Sequence, residues 1–396
     1  MNLNMTVDRH NTDSLKYDFA AERGRPENLL PLWVADMDFR APQPVIDALA
    51  ARTQHGIFGY TETKRDYFDV VADWFTQQHG WTPEESWLVK TPGVVFALAM
   101  AVKAFTDPHD AVLIQPPVYY PFFEVIRDND RRVVENELLY HNNRYTVDFS
   151  DLEAKLEAER VKLMLLCSPH NPVGRVWASS ELRKIAALCI KHNVILVSDE
   201  IHCDFARPGH AFTSAMQLSG KLKEQLILCT APSKTFNLAG LQVSNIFIPN
   251  ETLRRKFKHQ IDAAGYSQLN AMGLLACKTA YREGAPWLAE VKRYIEENLI
   301  FLRDYLEKYI PEIKLVEPDG TYLVWLDCGG LGLSGKALDD FITKEAGLWL
   351  DGGSMFGGSG LSERFQRLNI ACSRETLTAA LQKLESAVSA RKKSNP

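Results

Sequence analysis

The middle of the chain is built from short apolar runs separated by helical patterns, and this alternation restricts the fold more than any other feature. Six runs stand out: residues 111–115 (AVLIQ), 131–138 (RRVVENEL), 162–168 (KLMLLCS), 193–199 (NVILVSD), 226–230 (LILCT) and 244–248 (SNIFI). A short apolar run bounded by turn residues reads as a strand buried on both faces, and such strands interleave with helices in a largely parallel sheet. Between two of the runs, Leu182, Ile185, Ala186, Cys189 and Ile190 recur at helical spacing. That spacing predicts a helix over residues 179–192 with Ser179 or Ser180 as its N-cap. The fold class is therefore α/β.

Near Gly284 the pattern changes to one long helix, predicted over residues 287–310, with Leu288, Val291, Ile295, Leu299, Leu302, Leu306 and Tyr309 at three-four spacing and Pro311 as the stop. The reading is a large domain over residues 41–286 and a smaller α+β domain formed by residues 1–40 and 287–396. The 396 residues, 46% of them hydrophobic, supply cores for both.

A net charge of −5, with lysine and arginine scattered along the chain, argues against nucleic acid as a partner. No apolar run approaches the roughly 18 residues that a membrane span needs. The N-terminus is polar, and the seven cysteines are odd in number, dispersed and without a CxxC pair. These features predict a cytoplasmic protein with reduced thiols. No histidine or cysteine spacing suggests a metal, and no nucleophile elbow is present.

In a parallel sheet the ligand lies beyond the carboxyl ends of the strands, so the residues that follow each run carry the chemistry. SPHNPVG holds Asn171, SDEIHCD holds Asp199 and APSKTFNLAG holds Lys234. Each alone has an ordinary explanation as a turn, a helix cap or a surface charge. Together they are the groups that pyridoxal phosphate requires: a hydrogen-bond donor to the ring hydroxyl oxygen, a carboxylate for the pyridine nitrogen, and an amine for a Schiff base. KTPG leads straight into the helical run VVFALAMAVKAF, whose first N–H groups suit a phosphate. Ser233 adds a hydroxyl, and Tyr119, after the AVLIQ run, is placed to stack on a ring.

SPHNPVG, SDEIHCDF, SKTFNLAG and RLNIACSR, in that order over nearly the whole chain, resemble the fold-type I pyridoxal-phosphate enzymes of aminotransferase class I/II. With LPLWVADMDFRAP, GIFGYTE, KTPGVV and QPPVYYPFF, the sequence looks most like the MalY/PatB-type cystathionine β-lyases. The resemblance implies an aspartate aminotransferase-like large domain with a seven-stranded sheet. It implies Lys234 as Schiff-base lysine and general base, Asp199 at the pyridine nitrogen, Asn171 at the ring hydroxyl and Tyr119 on the ring face. The backbone amides of Val94 and Val95, with Ser233, would hold the phosphate, and His202 would border the cofactor. Arg374 would clamp the substrate carboxylate, with Trp33 and Tyr119 shaping the pocket. Tyr60 would reach the phosphate or substrate of a neighbouring subunit in a homodimer. Two positions depart from many aminotransferases: His202 stands for a tyrosine and Gln242 for an arginine.

The activity so implied is β-elimination from L-cystathionine or related cysteine S-conjugates, giving a thiol (homocysteine from cystathionine), pyruvate and ammonia. Transamination between an L-amino acid and a 2-oxo acid passes through the same loss of a Cα proton and is the alternative. A cofactor-binding regulator acting through protein contact is a second one. The glycine-rich DGGSMFGGSG, residues 351–360, lacks a nucleotide-binding pattern and reads as a mobile loop near the substrate.

Overall fold

A computed structural model describes residues 3–394. Seven strands make the central sheet: β1 (Leu88–Thr91), β2 (Ala111–Ile114), β3 (Arg132–Glu135), β4 (Leu163–Cys167), β5 (Ile195–Asp199), β6 (Leu226–Thr230) and β7 (Ser244–Phe247). Across the sheet they run β1-β7-β6-β5-β4-β2-β3. Strands β2 to β6 pair in parallel, and β7 lies antiparallel to both β6 and β1. The mostly parallel seven-stranded sheet expected from the sequence is present, and six of its strands fall within the six apolar runs. The seventh, β1, is LVKT, which precedes the helix-opening glycine.

The runs are strands because their alternate side chains are claimed by opposite cores. In β4, Leu163, Leu165 and Cys167 join one apolar cluster while Met164 and Leu166 join the other. β6 divides in the same way, with Leu226 and Leu228 on one face and Ile227 and Cys229 on the other. Each fully buried side chain of this size contributes about 1.5–3 kcal/mol, so a charge introduced at Leu165 or Leu228 would break the layer it faces.

Helix α1 (Val94–Phe105) packs Val94, Ala97, Leu98, Ala101 and Val102 inward. Helix α2 (Ser179–His192) has the predicted bounds but not the predicted cap. Ala178 holds the N-cap position and has no side chain to accept from the first turn; its own N–H donates to Glu181 Oε2 at 2.8 Å, which is the returning half of a capping box. Helix α3 (Ala285–Tyr309) begins earlier than expected because Pro286 falls in the first turn, where a missing N–H is no loss. It stops before Pro311, with Ile310 already out of helical geometry. Helix α4 (Arg374–Ser394) closes the chain.

A second sheet contains β8 (Lys314–Val316), β9 (Leu323–Asp327), β10 (Asp351–Gly352) and β11 (Phe365–Asn369), antiparallel in the order β8-β9-β11-β10. The N-terminal segment is tied to this part of the chain. Leu30–Pro31 pairs in parallel with Leu348–Trp349, and Asn369 Nδ2 donates to the carbonyls of Val34 and Asp36 at 2.7 and 2.6 Å.

The glycine-rich stretch, expected as a mobile loop near the substrate, is packed at Asp351, Gly353 and Phe356 and exposed at Ser354, Met355 and residues 358–360. Asp351 and Gly352 are strand residues, Phe356 is buried, and a Cβ at Gly353 would sit 1.8 Å from the Ser362 carbonyl oxygen. Gly357 serves close approach in the same way, since a Cβ there would sit 2.1 Å from the Phe123 ring. All seven cysteines are buried and unpaired. Among the described residues, no helix is long and apolar enough to cross a membrane.

Candidate active site

Because β1, β2, β4, β5 and β6 point the same way, the segments leaving their carboxyl ends converge on one edge of the sheet. They enclose a cavity of about 130 Å³ whose walls include Gly93, Val94, Val95, Tyr119, Asn171, Asp199, His202, Ser233 and Lys234. A larger cleft of about 630 Å³ between residues 205–210 and α3 holds none of these groups.

Lys234 rides on the four-residue helix Pro232–Thr235 that follows β6, and its Nζ donates to the Ala35 carbonyl at 2.7 Å. Asp199 is the last residue of β5, hydrogen-bonded in register between Cys167 of β4 and Cys229 of β6. One of its carboxylate oxygens accepts the Ile201 N–H at 3.1 Å; among the described residues the other has no hydrogen-bond donor. Asn171 is buried, and its Oδ1 accepts from Arg367 Nη1 at 3.0 Å, which leaves the amide nitrogen as the free donor. At the start of α1 no side chain caps the helix, so the N–H groups of Val94 and Val95 face the cavity without an internal partner. Gly93 makes this approach possible: its φ of 125° is a backbone state that side chains oppose.

Burial sets the charge state of the site. It pulls the Lys234 ammonium down to about 8; Arg367 adds to the effect, while Asp36 and Asp199 oppose it. Burial pushes the Asp199 carboxyl up to about 7, opposed by the Ile201 N–H and by Lys234. His202 is driven down to about 3, first by burial and then by Lys234 and Arg367, so its ring is neutral. Its Nδ1 is buried without a partner. Burial also raises the Tyr119 phenol, which therefore stays protonated. The site combines an amine that loses its proton readily with a carboxyl that gives its own up reluctantly.

The structure brings together Lys234, Asp199, Asn171, Tyr119, Val94, Val95, Ser233 and His202, and it separates three other expected residues from them. Arg374 opens α4, donates Nε–H to Asn298 Oδ1 at 2.9 Å and lies 4.4 Å over the Phe301 ring. It lines a different pocket, with Leu3 and Tyr294, so it does not reach the cavity as a carboxylate clamp. The other arginine of the same motif, Arg367 of β11, is 2% exposed and sits behind the cavity wall at Asn171. It contacts Asn171 Oδ1, the Trp33 carbonyl at 2.9 Å, and the Asp351 carboxylate. Trp33 contributes that carbonyl, while its ring stacks on Trp349 at 4.5 Å away from the cavity wall. Tyr60 is 99% exposed on the segment between the helices Gln43–His55 and Arg65–His79 and is not among the residues that line the cavity.

Known proteins extend this picture. The family described as Aminotransferase class I and II matches residues 27–384. Cystathionine beta-lyase PatB of Bacillus subtilis (strain 168) is 43% identical over 98% of this chain and 100% of its own length. Cystalysin from Treponema denticola, whose crystal structure contains a pyridoxal 5'-phosphate cofactor, superposes with a TM-score of 0.94 at 37% identity, covering 98% of this chain and 99% of that one. The pyridoxal-phosphate-bound C–S lyase from Staphylococcus hominis superposes with a TM-score of 0.90 at 32% identity and covers 98% of each chain.

Proposed function

The chain belongs to the class I and II aminotransferase family, and from that premise we propose that it is a pyridoxal-phosphate-dependent carbon–sulfur lyase. Its reaction is β-elimination from L-cystathionine or a related cysteine S-conjugate, releasing a thiol, pyruvate and ammonia. The observation that carries the reading is full-length likeness to a cystathionine β-lyase, in a chain whose sheet edge gathers a deprotonatable lysine and a buried carboxylate around one cavity, with a buried arginine bonded to Asn171 of its wall.

The residues fit the cofactor. An unpartnered oxygen on a buried carboxylate asks for a cationic donor such as a pyridinium N–H, and a helix N-terminus with open N–H groups asks for an anion. When bound, pyridoxal phosphate supplies a carbonyl that condenses with amines and a ring that accepts the electrons left at Cα. Asp199 keeps the proton on the ring nitrogen. Asn171 donates to the ring oxygen, Tyr119 covers one face, and Val94, Val95 and Ser233 hold the phosphate.

Lys234 is the base. With its ammonium at about 8, about a tenth is free amine at pH 7, against a negligible fraction for a lysine in water. Its Nζ takes the proton from the substrate Cα, after which the thiolate leaves from Cβ. Arg367, held by Asn171 and Trp33, offers the fork geometry that grips the α-carboxylate and aims the Cα–H at Lys234. His202, neutral and next to this cation pair, adds no competing charge.

The same proposal includes a homodimer that brings Tyr60 to the neighbouring site, a cytoplasmic location, and a large unit over residues 41–286 carrying the cofactor. The test is incubation of the holoenzyme with L-cystathionine. Pyruvate and thiol should form with no added 2-oxo acid; turnover that strictly requires a 2-oxo acid overturns the lyase in favour of transamination.

A further inference from the structure

Behind the cavity lies a buried group that the mechanism above does not use. Thr235, the residue after Lys234, is fully buried and donates its hydroxyl to Asp204 Oδ2 at 2.6 Å. The other oxygen of that carboxylate, Oδ1, meets His79 Nε2 at 2.8 Å. Asp204 belongs to the turn Cys203–Phe205, which continues the segment that presents Asp199 and His202. His79 is the last residue of the helix Arg65–His79. One carboxylate therefore ties the lysine-bearing turn to the segment carrying the pyridine-nitrogen partner, and a third element fixes it from outside.

A metal centre is the competing explanation, since His79, Cys203 and Asp204 gather their ligand atoms within 4.8 Å. The chemistry argues otherwise. Both Asp204 oxygens are already engaged, by a hydroxyl and an imidazole. The Lys292 cation acts on the same carboxylate, and burial pushes the Cys203 thiol far up, away from the thiolate that a metal prefers.

Lys234 needs such a tether. A helix of four residues cannot hold its own shape; the turn is closed locally by Phe236 N to the Pro232 carbonyl and Leu238 N to the Ser233 carbonyl, and Asn237 beyond it is bonded to Met37 and Phe39. The lysine amine itself has one partner, the Ala35 carbonyl. That contact has to be given up when Nζ moves to its reactive positions.

We propose that Asp204, acting through Thr235 and braced by His79, is a positioning residue that fixes the Lys234 turn relative to Asp199, so that one amine reaches both the cofactor carbonyl and the substrate Cα. A misplacement of about 1 Å costs on the order of a hundredfold in rate. The inference rests on the proposed lyase activity for its kinetic readout and on cofactor binding alone for its spectral one.

The experiment compares wild-type holoenzyme with Thr235→Val, Thr235→Ser and Asp204→Ala. In Thr235→Val, cofactor should remain attached by absorbance, the pH midpoint of the lysine–cofactor absorbance band should move, and kcat for pyruvate release should fall about 10- to 100-fold with KM within about twofold. Thr235→Ser, which keeps the hydroxyl, should restore both midpoint and kcat; Asp204→Ala, which removes the acceptor of the Thr235 hydroxyl, should repeat the loss. Wild-type kcat and midpoint in Thr235→Val overturn the proposal; so does a folded Thr235→Ser that rescues nothing. Should Thr235→Val fail to fold, Asp204→Ala decides, because wild-type behaviour there overturns the brace. A wild-type protein that binds cofactor yet yields no pyruvate overturns the lyase reading alone, and the absorbance midpoints of the same variants still judge the brace.

Discussion

Two buried ionisable groups give the cofactor-free site opposite responses to pH. Asp199 titrates near 7 in the folded chain and near 4 when unfolded, so the folded state holds an extra proton between those values. Stability from this group therefore falls as pH rises from about 4 to about 7. Lys234, titrating near 8 when folded, surrenders its proton first, so its cost shrinks as pH rises from about 8 to about 10.5. Asp199→Asn should accordingly stabilise the cofactor-free protein at pH 8, by on the order of 2–4 kcal/mol in denaturant unfolding, with little change at pH 4. Its unfolding midpoint at pH 8 should rise even as holoenzyme activity collapses; an unchanged midpoint would contradict the burial argument. The two arginines of the RLNIACSR motif separate just as sharply. Arg367→Lys keeps the charge but loses the fork, and KM for the amino acid should rise at least about tenfold, roughly 1.4 kcal/mol. Arg374→Ala, outside the cavity, should leave KM within about twofold; steady-state kinetics on both variants reverses the assignment if the pattern is opposite.

At the scale of elements, the strand-to-helix junction at Gly93 is the most constrained link between fold and site. Alanine there opposes a φ of 125°, at a cost of about 1–3 kcal/mol, and shifts the first amides of α1. Gly93→Ala should weaken cofactor affinity at least about tenfold by equilibrium titration while the far-ultraviolet spectrum stays unchanged; unaltered affinity would remove α1 from the phosphate site. Elements buried on both faces were legible in the sequence, because every residue of LILCT or LMLLC is apolar enough to announce a strand. β1 was not: LVKT alternates buried and half-buried positions, and its strand character comes from pairing with distant β7. The α2 cap was hidden because Ala178 carries no capping oxygen and the bond made there is its own N–H to Glu181. Asn171, Asp199 and Lys234 were legible because Asp199 ends a recognisable strand and the other two follow one. Arg367 was missed although a signal existed: it lies inside a strand among Phe365, Leu368 and Ile370, where a guanidinium is costly unless it has work to do. Arg374 drew attention by ending the motif, but it is the first residue of a helix, a place where the side chain settles on Asn298 and Phe301.

At the scale of the whole molecule, the segment Gly56 to Tyr60 presents Ile57, Phe58 and Tyr60 to solvent, each at least 60% exposed. Adjacent large apolar side chains left uncovered mark a surface that another chain covers. Sedimentation should find the wild type as a dimer at micromolar concentration, and Phe58→Glu should shift it toward monomer with activity per chain falling on dilution. A fully active wild-type monomer would rule out a site completed across an interface. The seven buried cysteines have a consequence of another kind. Burial raises every one of their thiols, Cys277 to about 11 and Cys189 and Cys372 to about 12, so thiolate is scarce throughout the chain. Exchange with a disulfide begins with attack by thiolate. A catalyst that releases small thiols works in a growing mixture of those thiols and the disulfides that air makes from them. This chain gives that mixture almost nothing to react with, and so it can outlast its own product.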